Sequence, residues 1–143
     1  MEFSISGIMS REQVKNLIYS CLFDYENNLP SLYAIINSCD KKLLGYCGCF
    51  LFDDNGTIQT EISFRLDPEN WGKGLATQAV EELIKYSFKK FNIQKIFAFV
   101  EPKNIGTIRV LEKAGFVFEE ATKYKEKSVK KYILKNRIAG DKL

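Results

Sequence analysis

The amino-acid sequence predicts one α+β domain across residues 1–143, a mixed, mostly antiparallel sheet with helices on both faces in a three-layer arrangement. Three observations predict this class. The 143 residues, of which 45% are hydrophobic, are enough for one buried core and too few for two ordinary domains. Short alternating runs between turn residues are typical of strands, and longer runs with helical spacing are typical of helices. Their order is helix, three strands, helix, strand, helix and two strands.

The N-terminal half supplies the first helix and three strands. Residues 3–8 alternate apolar residues with serine, which predicts a short strand. Ser10 is a suitable N-cap for a helix from Arg11 to about Tyr25. Strands are predicted at residues 32–37, 43–52 and 57–66, the last two joined by the hairpin turn Asp53-Asp54-Asn55-Gly56.

The C-terminal half alternates helices and strands before a final hairpin. Leu75 to about Lys90 carries apolar residues on one face and charges on the other, which predicts an amphipathic helix. Asn92 ends it, and Gly115 is a suitable C-cap for a second helix at residues 105–114. Strands are predicted at residues 95–100, 116–122 and 128–134, and residues 136–143 are expected to be a loose tail.

The charge balance gives no indication of nucleic-acid or membrane binding. Twenty-one basic and 18 acidic residues leave a net charge of only +3. Residues 1–9 lack the basic start and apolar run of a signal peptide, and no apolar span is long enough to cross a membrane. The expected location is therefore the cytoplasm.

Histidine is absent, which excludes Ser-His-Asp and Cys-His catalysis and imidazole metal sites. Carboxylates, hydroxyls and the backbone remain as functional groups. The four cysteines, Cys21, Cys39, Cys47 and Cys49, show no C-x-x-C spacing, and Cys47 and Cys49 fall on one face of a strand. They are interpreted as small buried residues in a reducing compartment rather than as disulfides or metal ligands, and no metal is expected.

Residues 66–76, L-D-P-E-N-W-G-K-G-L-A, form a strand end, a turn and a helix start. Pro68 ends the strand, and Gly72 and Gly74 allow the main chain to present unshielded N–H groups to a ligand. The first turn of a helix beginning near Leu75 adds unpaired donors and the positive end of the helix dipole. The segment predicts an anion site whose expected ligand is a phosphate.

The alternative interpretation is a tight strand-to-helix turn without a ligand. Two common phosphate motifs do not fit. The pattern G-x-x-x-x-G-K-S/T is absent because Leu75 follows Gly74, and G-x-G-x-x-G fails at Thr77.

A third pattern fits better. The segment resembles the acyl-coenzyme A pyrophosphate loop of the GCN5-related N-acetyltransferase (GNAT) superfamily, Q/R-x-x-G-x-G/A, with Trp71-Gly72-Lys73-Gly74-Leu75-Ala76 in that frame. Trp71 stands where Gln or Arg is usual. The wider form D-P-x-x-W-G-K-G-x-A-T is similar to the branch that acetylates the N-termini of ribosomal proteins.

A second landmark of the same family lies downstream. Its pattern is N-x-x-S/A followed by a helix that ends in G-F, and here Asn104-Ile105-Gly106-Thr107 precedes Leu111-Glu112-Lys113-Ala114-Gly115-Phe116. With the order of the elements, the resemblance covers about residues 32–134. It implies a GNAT fold with a shortened N-terminal region, because relatives carry a first strand and one or two longer helices there.

The resemblance implies acetyl-CoA as co-substrate. Backbone donors of the glycine loop would hold the pyrophosphate, and the pantetheine arm would lie against the end of the fourth family strand, where the next strand splays away. Asn104 would hold the arm from the other side, although it is equally suitable as a helix N-cap. The implied cofactor-binding residues are Phe64, Arg65, Leu66, Trp71, Gly72, Lys73, Gly74, Leu75, Ala76, Thr77 and Asn104.

Glu61 is the candidate general base. It lies in T-E-I-S-F-R-L-D-P, which is similar to the E-I-G-Y-x-L-D-P segment of the ribosomal branch, and alternation places it on one face with Ser63 and Arg65. The alternative is an exposed or Arg65-paired strand carboxylate. Many relatives protonate the leaving thiolate with a Tyr at the position of Leu111, so Thr107 is the nearby hydroxyl that remains for this role.

Two function classes follow from the resemblance. One is an enzyme that transfers the acetyl group to a primary amine, either a peptide N-terminus or a small molecule. The other is a catalytically weak coenzyme A-binding or interaction module with the same fold. The short N-terminal region also predicts an apolar groove beside residues 32–37 that a homodimer would cover.

Overall fold

A computed structural model of the chain describes residues 10–136. The strand predicted at residues 3–8 and almost all of the predicted tail lie outside this range. The helices are α1 (Arg11–Glu26), α2 (Leu75–Phe91) and α3 (Ile105–Lys113), and the strands are β1 (Leu32–Ile36), β2 (Leu43–Asp54), β3 (Thr57–Leu66), β4 (Lys95–Val100), β5 (Val117–Tyr124) and β6 (Lys127–Lys135). The predicted order and the predicted α+β class are confirmed.

The strands form one mixed sheet of six strands in the order β1-β2-β3-β4-β6-β5. Only β3 and β4 run parallel, and the other neighbours are antiparallel. Helix α2 provides the crossover that a parallel pair requires. Strand β6 lies between β4 and β5, so the C-terminal hairpin places β5 at the edge of the sheet.

Residues with positive φ make the turns that the sequence predicts. Asn55 and Gly56 have φ of 53° and 93° in the β2–β3 hairpin, as a two-residue turn with both central residues left-handed requires. Lys125 and Glu126 have φ of 51° and 68° in the β5–β6 hairpin, although neither is a residue that favours this conformation. Asn92, with φ of 52°, ends α2.

The core lies between the sheet and the helices α2 and α3. It includes Cys47, Cys49, Ile62, Val80, Leu83, Ile96, Ala98, Ile108, Leu111 and Tyr132. The sequence predicts helices on both faces of the sheet, whereas the packing contacts of α2 and α3 within residues 10–136 are with this one face. The opposite face carries Glu61 together with aromatic residues of β2 and β4, among them Phe52, Phe97 and Phe99.

Two of the four cysteines match the predicted burial. Cys47 and Cys49 are buried together in the core, and burial raises the pKa of each thiol to about 12. Cys21 is half-buried and Cys39 is exposed. The prediction of burial is therefore wrong for Cys39, because it lies in the turn between β1 and β2 rather than in a strand.

Helix α1 packs less tightly than α2 and α3. None of its residues is buried, although Ser10 and Gln13 form the predicted capping box at its start. Its C-terminal end meets the helix-covered face, since the ring of Tyr25 contacts that of Tyr33, which in turn contacts Tyr86 of α2. Across residues 10–136, no helix is long and apolar enough to cross a membrane.

Candidate functional site

The glycine loop connects β3 to α2 through a short 3₁₀ turn at Pro68–Asn70. Gly72 and Gly74 both have φ of 76°, a conformation that glycine adopts at little cost and other residues rarely adopt. A Cβ atom at either position would meet no atom within 4 Å. Backbone conformation, and not crowding by the protein, is therefore the reason that glycine is needed here.

The N-terminus of α2 is suited to bind a phosphate. Gly74 occupies the N-cap position and α2 has no side-chain cap, so the amide groups of Leu75, Ala76 and Thr77 face the loop without a capping acceptor. The first turn contains no acidic residue that would repel an anion. Lys73, which lies between the two glycines, is exposed at the surface. These residues fit the pyrophosphate of coenzyme A.

Trp71 holds the loop to the end of β3. Its indole N–H donates a hydrogen bond of 2.9 Å to the main-chain oxygen of Leu66, across the 3₁₀ turn. The ring is 59% exposed, so one side remains open to solvent. Sequence similarity groups Trp71 with the cofactor-binding residues, and the structure adds a loop-bracing contact that the pattern does not predict.

Strands β3 and β4 are paired over only a short stretch. The two strands pair only at Thr60 with Ile96 and at Glu61 with Phe97, although both continue beyond these residues. This geometry agrees with the predicted splay. Phe64 packs against the core and Leu66 is buried. A ligand bound where β3 continues beyond its pairing with β4 would therefore meet the main chain of these residues rather than their side chains.

Arg65 is half-buried on the face of β3 that carries Glu61. Its Nε atom is buried and has no hydrogen-bond partner in the described part of the chain. Among residues 10–136, no ion pair joins Arg65 to Glu61. The alternative that Arg65 neutralises Glu61 is therefore not what the structure shows.

The second landmark begins at the start of α3. Asn104 is the N-cap of this helix, and its side-chain oxygen accepts a hydrogen bond of 3.2 Å from the Thr107 amide. Capping occupies the oxygen of Asn104 and leaves its amide N–H₂ group as the donor for a ligand. Thr107 is half-buried in the first turn, and Leu111 is fully buried in the core.

Glu61 is buried, with only 6% of its surface exposed. Its cross-strand neighbours on the same face are Phe50 and Phe97. The Oε1 atom is buried without a hydrogen-bond partner among residues 10–136. Glu61 is therefore neither the exposed carboxylate nor the Arg65-paired carboxylate that the sequence leaves open as alternatives.

The surroundings of Glu61 change its pKa. Burial disfavours the charged form and raises the pKa to about 7, against 4.5 for an ordinary glutamate. A hydrogen bond with the Tyr124 side chain and the charge of Lys125 act in the opposite direction. The carboxyl group therefore exchanges its proton close to neutral pH, as a general base or acid requires.

Tyr124 is a residue near Glu61 that no sequence pattern singles out. It ends β5 next to the C-terminal turn, and its ring lies 4.9 Å from that of Phe99 on the Glu61 side of the sheet. The predicted hairpin places a tyrosine near this turn, but its register against β6 decides which face the ring occupies. Thr107 is on α3, which packs on the opposite face, and its amide donates a hydrogen bond to Asn104.

The raised pKa of Glu61 should make the free energy of unfolding depend on pH. Between about pH 4.5 and pH 7 the folded chain binds more protons at this site than the unfolded chain, so its stability falls as the pH rises. We expect Glu61→Gln to gain stability relative to the parent over this range, by on the order of 3 kcal/mol at pH 8. Urea unfolding at pH 5 and pH 8 measures the difference in the free energy of unfolding between the variant and the parent. Glu82→Gln, on the exposed face of α2, is the control. A pH-independent difference would contradict the raised pKa.

The chain belongs to the GNAT acetyltransferase family, because the family described as "Acetyltransferase (GNAT) domain" matches residues 1–117. The uncharacterized N-acetyltransferase p20 of Bacillus licheniformis is 36% identical over 97 residues, which are 67% of this chain and 53% of that protein. The match thus spans about half the length of this relative, and likewise only 46% of the probable N-acetyltransferase YjcK of Bacillus subtilis, which is 39% identical over 85 residues.

Solved structures confirm the GNAT fold. The ribosomal-protein-S5-alanine acetyltransferase of Vibrio fischeri has a TM-score of 0.78 at 22% identity, covering 90% of this chain and 76% of its own. The spermidine N-acetyltransferase of Vibrio cholerae, in complex with CoA and spermine, has a TM-score of 0.72 at 20% identity, covering 92% of this chain and 79% of its own.

Proposed function

We propose that this chain is an acetyl-CoA-dependent N-acetyltransferase that acts on a primary amine, with Glu61 as its general base. The observation that carries the proposal is the buried carboxylate of Glu61, whose Oε1 atom is unpaired in the described residues and which lies where β3 and β4 separate. The open N-terminus of α2 follows the same end of β3. Family membership and relatives named N-acetyltransferases support the same activity.

The main chain of the glycine loop and of the first turn of α2 would bind the pyrophosphate. Their amide groups provide directed donors and a favourable dipole, and the Lys73 side chain adds a surface charge. The main chain at Phe64, Arg65 and Leu66 and the amide of Asn104 would orient the pantetheine arm. Acetyl-CoA supplies the activated acetyl group when bound, and we propose no role for a metal.

Glu61 would remove a proton from the acceptor amine. An amine of pKa ~10.4 costs roughly 4–5 kcal/mol to deprotonate at pH 7, against about 1 kcal/mol for a peptide terminus of pKa ~8. The proton would pass to Oε1 of Glu61, the nitrogen would form the new bond to the acetyl carbon, and the carbon–sulfur bond would break. After the carbon–nitrogen bond forms, the nitrogen would lose a second proton, which would pass through the Thr107 hydroxyl to the leaving thiolate.

The acceptor class stays a proposal. The neighbours by name include a ribosomal-protein acetyltransferase and a spermidine acetyltransferase crystallised with spermine. We propose a primary amine, either a peptide N-terminus or a small molecule, with no nucleic acid or membrane as partner, and we propose the cytoplasm as the location.

The activity is tested by release of free thiol from acetyl-CoA in the presence of a panel of peptide N-termini and small amines. Thiol release that depends on the amine and yields an acetylated product, identified by mass spectrometry, is the expected result. Binding of the cofactor in calorimetry without amine-dependent release for any acceptor would instead favour the coenzyme A-binding module.

We also propose that a second copy of the chain covers α1. Ile18, Tyr19, Leu22 and Phe23 are each more than half exposed, at 52% to 60%, which is unusual for large apolar side chains on one helix. Ile36 of the edge strand β1 is 54% exposed as well. These exposures support the proposal that α1 and the edge strand β1 contribute to one apolar surface, as the sequence predicts beside residues 32–37.

The dimer is tested by light scattering after size-exclusion chromatography. We expect a dimeric mass for the parent chain and a shift towards monomer for Ile18→Glu and Phe23→Glu. Lys85→Glu changes the charge on the exposed face of α2 and should leave the mass unchanged. A fully active monomeric parent would refute the idea.

A further inference from the structure

The aromatic cluster around Glu61 includes a group for which the mechanism above has no role. Tyr124 reaches this face from the end of β5, a strand that is not adjacent to β3. Its ring lies 4.9 Å from that of Phe99, which itself contacts Phe52. Phe97, which lies in β4 together with Phe99, pairs with Glu61 of β3. The C-terminal hairpin thus brings the phenol of Tyr124 to the face of the sheet that carries Glu61.

We propose that Tyr124 is a positioning residue for Glu61: its hydroxyl donates a hydrogen bond that orients the carboxylate and leaves Oε1 free to accept the proton of the acceptor amine. The catalytic meaning of this contact rests on the proposed function. The proposed hydrogen bond itself does not, because it would form in the folded chain without any substrate.

The polar atoms of Glu61 are consistent with this division of roles. Oε1 is buried and unpaired within residues 10–136. The Tyr124 side chain acts on Glu61 in the direction that a donated hydrogen bond requires, because it favours the ionised form and lowers the pKa of the carboxyl group. Burial and the charge of Glu61 raise the pKa of Tyr124 to about 12, so the phenol keeps its proton and acts as a donor throughout.

Other charged groups on this side of the sheet act more weakly on Glu61. Lys125 lowers its pKa less than Tyr124 does. Lys131 sits 4.6 Å from the centre of the Phe97 ring, but it also forms ion pairs with three carboxylates. The remaining charged groups nearby are Asp54, Glu119 and Glu120 around Lys131, Arg65 on β3, Lys95 at the start of β4 and Glu101 just after its end. Cys49 lies on the opposite face, in the core, and the charge of Glu61 raises its pKa.

Tyr124→Phe tests the proposal, since it removes the hydroxyl and keeps the ring on Phe99. Loss of a hydrogen bond to a charged group should raise the pKa of Glu61 by about one unit. The acidic limb of kcat/KM should move upward by the same amount. The rate should fall about fivefold at pH 7 and recover most of that loss above about pH 9.

Tyr132→Phe is the matched control, because it removes one hydroxyl from a buried tyrosine on the opposite face of the sheet. Its pH profile should keep the parent limb. Lys125→Gln should shift the acidic limb of kcat/KM less than Tyr124→Phe does. The shift caused by Lys125→Gln should become smaller in high salt, whereas the shift caused by Tyr124→Phe should persist.

A second measurement does not depend on activity. Carbon NMR of the labelled glutamate carboxyl groups, assigned with Glu61→Gln, reports the pKa of Glu61 directly in the parent and in Tyr124→Phe. An upward shift supports the contact even if no acceptor is turned over, in which case only the proposed function fails. An unchanged pKa in Tyr124→Phe would overturn the proposal, as would a uniform loss of rate at every pH.

Discussion

Gly74→Val is expected to reduce acetyl-CoA binding at least about 100-fold, while Lys73→Ala weakens it only a few-fold. Gly74 has φ of 76°, which a β-branched residue adopts only with considerable strain. The new side chain would meet no protein atom within 4 Å, so the loss would come from redirected amide groups and from obstruction of the ligand. Calorimetric titration with acetyl-CoA measures both variants.

The comparison separates main-chain binding from side-chain charge. Lys73 is exposed, so its attraction to the pyrophosphate is screened by salt and the defect of Lys73→Ala should vanish at high ionic strength. Gly56→Val controls for strain, since Gly56 also has positive φ and open space but lies in the β2–β3 turn. Equal losses for Gly74→Val and Lys73→Ala would contradict the prediction that the backbone contributes more to cofactor binding than the Lys73 side chain does.

Local signals predicted most of the fold. The strand at Thr57–Leu66 and the strand at Lys95–Val100 have the predicted bounds, and the two main helices differ from prediction by one residue at their C-terminal ends. Turn chemistry explains this accuracy, because Asn55-Gly56, Asn92 and Gly115 each adopt the positive φ that ends a strand or helix. Such signals depend on a few adjacent residues, which a sequence displays directly.

The features that sequence could not predict depend on contacts between distant residues. Burial of Glu61 follows from the pairing of β3 with β2 and β4, which places Phe50 and Phe97 beside it. Tyr124 approaches only because β6 inserts between β4 and β5. The exposure of α1 could not be predicted either. The spacing of its apolar residues predicts one apolar face, but it does not indicate whether another element covers that face.

The glycine loop and Glu61 are complementary parts of one proposed site. Hydrogen bonds from the loop can bind the co-substrate without changing its reactivity, since they act equally before and during the reaction. A buried carboxylate with a pKa of about 7 instead changes protonation state as the reaction proceeds. Loop variants should therefore alter binding, whereas variants of Glu61 should alter the rate.

Glu61→Gln should lower kcat/KM for amine acetylation by roughly 100- to 1,000-fold while leaving the affinity for acetyl-CoA unchanged. The amide keeps the size of the side chain and its place between Phe50 and Phe97, but it cannot accept the proton of the amine. The acidic limb near pH 7 should disappear with the carboxylate. Initial rates from pH 5.5 to pH 9.5, with calorimetry at pH 7, give both quantities.

Glu82→Gln is the matched control, because Glu82 is an exposed carboxylate on α2 whose Lys85 contact is a surface pair at 3.8 Å. It should reproduce the parent profile. The residual activity of Glu61→Gln should be greatest for acceptors of low amine pKa and at high pH, where less of the amine needs a base. If Glu61→Gln keeps the parent rate and its acidic limb, another group removes the proton and the buried carboxylate has a structural role only.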